Sequence, residues 1–256
     1  MMWLMHRQQR GQAAVETALT LPLALLALLL TVQIFMAEQG RLVAQVAAFR
    51  STRAGMVSNG DCVRMTHAAI GALLPAFFSF MSPSFSPADP SPGGRLAAAF
   101  AAHQTNAYAP ALDVGRDGPI VWVDRLSPLA AQLTGLDDES FDDANAQTTQ
   151  VLTTRLTFWF PLNIPFANWV LYLITRAQWG AGDFNAANPF MLTQGNANWT
   201  RGTWAPDADV VAELVARGSL APPQYVLPIR TSSAMPMMTP ARKANFVDVR
   251  CPVPLP

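Results

Sequence analysis

The sequence predicts an α+β protein: a long N-terminal membrane-spanning helix that continues as a stalk, then a head of helices packed on a small antiparallel sheet. Three observations carry this. Ala18 to Met36 form a stretch of 19 residues without a formal charge, close to the roughly 20 that a helix needs to cross a hydrocarbon core. Gln150 to Phe160 alternate with the period of a strand: Leu152, Thr154, Leu156, Phe158 and Phe160 fall on one face, Thr153, Arg155 and Thr157 on the other. Segments on both sides of that strand carry apolar residues at helical spacing between capping residues.

The N-terminal helix comes first in the chain. Arg7 and Arg10 precede the span, and Leu25, Leu26, Leu28, Leu29 and Leu30 present apolar surface all round it. Pro22 falls in the first turns, where a helix tolerates it. A secretory signal peptide shares the basic start and the apolar core. Its apolar region, however, runs to about 7–15 residues and ends in a small-x-small cleavage site. Here the run is longer, and Phe35-Met36-Ala37 places an aromatic residue where a small one is required. Flanking charge leaves the orientation open, with Arg7 and Arg10 before the span and Arg41, Arg50 and Arg53 after it. Beyond Glu38 and Gly40 the residues Leu42, Val43, Val46, Ala47 and Phe49 continue an apolar stripe at helical period. Gly55 is the expected stop, which predicts a helix of about 60 Å.

The head follows. Asn59 and Asp61 can cap a helix carrying Val63, Ala69, Ile70, Leu73, Leu74 and Phe77. Residues 82–94 hold four prolines and two glycines among serines and read as an exposed loop. Residues 95–108 predict an Ala-rich helix, and Pro119 to Asp124 a short strand. After the strand ending at Phe160, Pro165 can start a helix with Phe166, Val170, Leu171, Leu173 and Ile174. Reading residues 156–175 as a second span is opposed by Pro161, Asn163, Pro165 and Asn168. Pro206 to Gly218 predicts a further helix, and 224–234 and 245–251 predict strands.

Composition narrows the function classes. The 256 residues can bury a core in one large domain or two small ones. Hydrophobic residues make up 51% and charged residues 13%, a low charge content that the N-terminal span partly explains. Seventeen basic residues balance 17 acidic ones, and no cluster of Lys and Arg forms the footprint of a nucleic-acid binder. Cys62 and Cys251 are too few for a four-ligand zinc site. Outside the cytoplasm one long-range disulfide is their natural use, and two separate buried thiols are the alternative. His6, His67 and His103 are scattered, with no metal spacing. Asp137, Asp138, Glu139, Asp142 and Asp143 lack the alternation and central glycine of a calcium loop, which favours a solvated loop. No nucleophile elbow, phosphate loop or dinucleotide fingerprint is present. Asn198-Trp199-Thr200 is a sequon of a kind that arises by chance, and Trp159, Trp169, Trp179, Trp199 and Trp204 read as packing or partner contacts. No catalytic residue, cofactor or metal is therefore expected, and the chain does not read as an enzyme.

Glu16 is the one acid within residues 11–36, five places after Gly11 at the mouth of the span. On position alone such an acid is commonly an interfacial anchor. Residues 10–23 read Arg-Gly-Gln-Ala-Ala-Val-Glu-Thr-Ala-Leu-Thr-Leu-Pro-Leu, and this string strongly resembles the opening of TadE-like proteins, the minor pseudopilins of the tight-adherence pilus system. The resemblance runs on through the leucine-rich span to Ala47-Ala48-Phe49-Arg50-Ser51-Thr52-Arg53-Ala54-Gly55, and Thr153 to Pro165 and Tyr225 to Ala234 fit more loosely. Thr17 departs from it, standing where the family commonly has an aromatic or other large residue.

The resemblance implies that a prepilin peptidase cuts between Gly11 and Gln12. Residues 1–11 are then a leader, 12–55 the transmembrane and stalk helix, and 56–256 a periplasmic head. It also implies that Glu16 is the assembly charge. The new amine at Gln12 lies one helical turn from that carboxylate, and the amine of one subunit can pair with Glu16 of its neighbour, neutralising a buried charge and setting the axial register. The implied partners are the inner membrane, the peptidase, other pseudopilins and pilus assembly proteins. The implied location is the bacterial inner membrane, single-pass, N-terminus cytoplasmic and head periplasmic, with a surface pilus as a further destination. The alternative is a membrane-tethered periplasmic binding or adhesion module that never enters a fibre.

Overall fold

The computed structural model describes residues 5–82, 85–110, 112–113, 115–133, 151–180 and 208–255, with the backbone alone at 5–14 and 179–180. The acidic cluster 137–143, the triplet 198–200, Gln150, Trp204 and Pro206, and the Trp179 side chain lie outside these residues. The described elements are α1 (Met5–Met56), α2 (Cys62–Phe77), α3 (Pro92–His103), β1 (Val121–Ser127), β2 (Val151–Pro161), α4 (Ala167–Gly180), α5 (Ala208–Gly218) and β3 (Val226–Pro236), followed by a 3-10 helix at Lys243–Phe246. The class is α+β. The chain divides into two compact units, one formed from Met1–Ala37 and Leu162–Asp207, the other from Glu38–Pro161 and Ala208–Pro256.

In the second unit the three strands form an antiparallel sheet in the order β1-β2-β3. β2 is central because its even-numbered residues are apolar or hydroxylic and can be buried, while β3 pairs along its whole length and β1 along Thr153 to Phe158. Thr154, Leu156 and Phe158 pair with Ser233, Thr231 and Ile229 on one side, and with Arg125, Val123 and Val121 on the other.

The C-terminal part of α1 lies along the even face of β2. Gly40 meets Phe160 and Ile229, Thr52 hydrogen-bonds to Thr154, and Gly55 meets Leu152 and Met65, so helix and strand run in opposite directions. The apolar stripe read from the sequence is only partly buried. Leu42, Val46 and Phe49 are half or more exposed, whereas Ala44, Ala47, Ala48, Ser51 and Thr52 are buried. The reason is distance. A Cβ on Gly40 would come 2.7 Å from Phe160 Cδ2, and one on Gly55 would come 2.6 Å from Leu152 Cδ2. The strand supplies the large side chains, so the helix face against it must be small. Thr231 Oγ1 adds a bond to the Ala44 carbonyl at 3.2 Å.

Other boundaries shift for local reasons. α1 runs to Met56, and the Gly60 N–H closes the turn on the Gly55 carbonyl at 2.9 Å. Because α1 begins at Met5, Pro22 sits in the helix interior rather than the first turns and removes one backbone hydrogen bond there. Asp61 caps α2 by accepting the Val63 N–H at 2.8 Å, whereas Asn59 takes a left-handed turn conformation at φ 56°. Ser91 caps α3, which therefore starts at Pro92, inside the stretch expected to be loop, and ends at His103.

The strand expected at 245–251 does not form. The 3-10 helix occupies its start, and the rest makes a single bridge between Asp124 and Arg250 beside β1. Arg125 N–H donates to the Val249 carbonyl at 2.7 Å and Cys251 N–H to the Val123 carbonyl at 2.9 Å, but Pro252 and Pro254 then remove the donors a longer ladder needs.

Candidate functional site

The candidate site is the N-terminal stretch of α1. Gly11 and Gln12 are helical, six and seven places after Met5, where α1 begins, and Gln12 and Glu16 are spaced to share one helix face. Glu16 is exposed. Its backbone carbonyl accepts the Thr20 hydroxyl at 2.9 Å, and Thr31 donates likewise to the Ala27 carbonyl at 2.8 Å. Such bonds to the preceding turn satisfy hydroxyls that would otherwise face hydrocarbon unpaired. Val15, Leu19, Leu21, Leu23, Leu25 and Leu28 are each more than half exposed, which leaves the span apolar on every side. Among the described residues it is the one helix long and apolar enough to cross a membrane.

Gln33 is a buried polar residue that motif reading passed over. It is completely buried, and its Oε1 accepts the Ile164 N–H at 2.9 Å. The signal was present: it is the one amide side chain between Ala18 and Met36, and a polar group at that depth needs a partner.

In the head Cys62 and Cys251 form a disulfide with a Cα–Cα distance of 5.4 Å, which ties the first residue of α2 to the C-terminal segment. Arg125 reinforces the same corner. Its Nη1 donates to the Gly60 carbonyl at 3.1 Å and its Nη2 to the Asp248 carbonyl at 2.6 Å, with the guanidinium over the Phe246 ring. On the odd face of β2, the buried Asp124 carboxylate is held by Arg155 at 3.0 Å and Arg250 at 2.9 Å, and Arg250 stacks on Trp122. These arrangements lock backbone and charge. No group of three or more His, Cys, Asp or Glu gathers among the described residues.

Residues 11–53 match the model of the family described as TadE-like protein. This is the family that residues 10–23 resemble, and the match spans the N-terminal helix, from Gly11 to three residues short of the end of α1. No curated protein and no solved structure matches the chain.

Proposed function

We propose that the chain is a minor pseudopilin, a non-catalytic assembly component of a tight-adherence pilus or a related secretion fibre. A prepilin peptidase cuts it between Gly11 and Gln12, and the helix from Gln12 onward becomes the assembly element. The family match over residues 11–53 carries this reading, because it falls on the apolar helix with Glu16 at its mouth and not on the head. The chemistry is consistent with it. Cleavage creates an ammonium group at Gln12, one helical turn from Glu16, and two such charges on neighbouring subunits are stable in an apolar bundle only when paired. The same pairing fixes how far one helix slides along the next. The head stands on the periplasmic side, where its disulfide is chemically at home.

N-terminal sequencing of the membrane-extracted protein tests the processing step. A start at Gln12 is expected, and an intact Met1 or a start elsewhere overturns it. Glu16→Ala should leave membrane insertion unchanged and abolish incorporation into fibres; normal piliation in that variant rules out the charge pairing.

A further inference from the structure

We propose that α4 is a second membrane attachment, a helix lying in the headgroup boundary of the head-side leaflet with Phe166, Trp169, Leu173 and Ile174 among the acyl chains. This rests on residues 18–36 being a membrane span, and both lie in the same compact unit.

The first observation is the direction in which α4 faces. Phe166, just before the helix, is 73% exposed, and Trp169, Leu173 and Ile174, exposed by 52%, 41% and 57%, share one side of it at 100° per residue. The opposite side buries Tyr172 and Thr175. Water selects the reverse pattern, with large apolar groups inward and hydroxyls outward. Phe166 also holds a left-handed backbone conformation, φ 66°, which a bulky residue rarely adopts, while its carbonyl accepts the Val170 N–H at 3.2 Å to open the helix. A large aromatic side chain is thus held outward at the head of an already apolar face.

The second observation is depth. Gln33 Oε1 accepts the Ile164 N–H at 2.9 Å, which ties the chain two residues before Phe166 to a point three residues inside the end of the span at Met36. At 1.5 Å per residue that is about 4.5 Å within the apolar boundary. Interfacial helices bury their apolar face about 5–10 Å at this level, where tryptophan is favoured. The one charged residue of α4, Arg176, is exposed at the edge of the face, within reach of lipid phosphates rather than acyl chains.

The test uses the full chain with its disulfide intact, reconstituted in vesicles of phosphatidylethanolamine and phosphatidylglycerol. Single spin labels are placed through Leu25→Cys, Leu173→Cys, Ile174→Cys and Val247→Cys, all at exposed positions, and collision rates with oxygen and with a water-soluble nickel complex are compared. Labels at 173 and 174 should favour oxygen, at shallower depth than the label at 25, while the label at 247 favours nickel. Labels at 173 and 174 that meet nickel as freely as the one at 247 overturn the proposal, and a lipid-facing label at 25 then leaves the span intact. Labels at 173 and 174 shielded from both reagents point to a protein partner and overturn it too. A water-exposed label at 25 removes the span itself, and the proposal with it.

Discussion

At the scale of single residues, His103 faces a hydrogen-bond acceptor at each ring nitrogen. Nδ1 lies 2.6 Å from the Ala99 carbonyl and Nε2 lies 2.7 Å from Asp113 Oδ2, so a ring with one proton can serve only one of them. The ring is fully buried, edge-on to Phe77 and Phe78, with Arg116 near enough to bond the Phe77 carbonyl. Burial disfavours the charged ring. The hydrogen bonds to Asp113 and Ala99 and the Asp113 charge outweigh it, holding the pKa above the ordinary histidine value. The folded state therefore binds the proton more tightly than the unfolded one. The stabilisation is full below about pH 6.5 and is lost as pH rises through the elevated native pKa. We expect the urea midpoint of the detergent-solubilised chain to fall between about pH 6 and 9. His103→Gln should flatten that fall and cost about 1–3 kcal/mol at the acid end; a wild-type midpoint that does not change over this range refutes the assignment. The sequence showed His103 only as one of three scattered histidines, because its partner lies ten residues away across a turn that no motif encodes.

At the scale of elements, helices and strands were largely legible, and with them the buried faces of β2 and α2, while the faces of the stalk and of α4 were not. β2 was readable to within a residue at each end, because alternation over eleven residues is a strong local signal. The stalk of α1 was also readable as a helix, yet its apolar stripe did not say which face packs. Periodicity assigns the biggest residues to the inside. It cannot know that Phe160 and Leu152 already fill the space between helix and sheet. The contrast is measurable. Ala48→Leu places a large side chain on a face that is 1% exposed and should cost about 1–3 kcal/mol of unfolding free energy. Phe49→Ala, at a position 50% exposed, should stay within about 0.5 kcal/mol. Equal costs in urea unfolding would mean that the stalk packs through the other face. α4 shows the same limitation: Phe166, Leu173 and Ile174 were readable as apolar residues of a helical segment, but not that they stand exposed.

At the scale of the whole molecule, the Cys62–Cys251 bond joins residues 189 apart and closes nearly the entire head into one loop. Replacing both cysteines by serine should lower stability by about 2–4 kcal/mol, and adding reductant should bring the wild-type chain to the same urea midpoint. A double variant as stable as the oxidised protein would show that the C-terminal segment is held by Arg125 and the backbone bonds to β1 alone. From two cysteines in a sequence, a bond and two separate thiols are equally readable, because pairing depends on where the chain brings them. By itself the sequence determined the membrane-length helix, the resemblance of residues 10–23 to TadE-like proteins, and the α+β class. These are local patterns, carried by charge-free runs, helical or strand period, and fixed offsets along one chain. Only the tertiary structure decided which face of the stalk is buried, that Gln33 meets Ile164, that His103 meets Asp113, and that α4 turns its apolar side outward. Each of those depends on what stands opposite a residue in space, and packing distance and the partner of a buried polar group are not written in the spacing of neighbours.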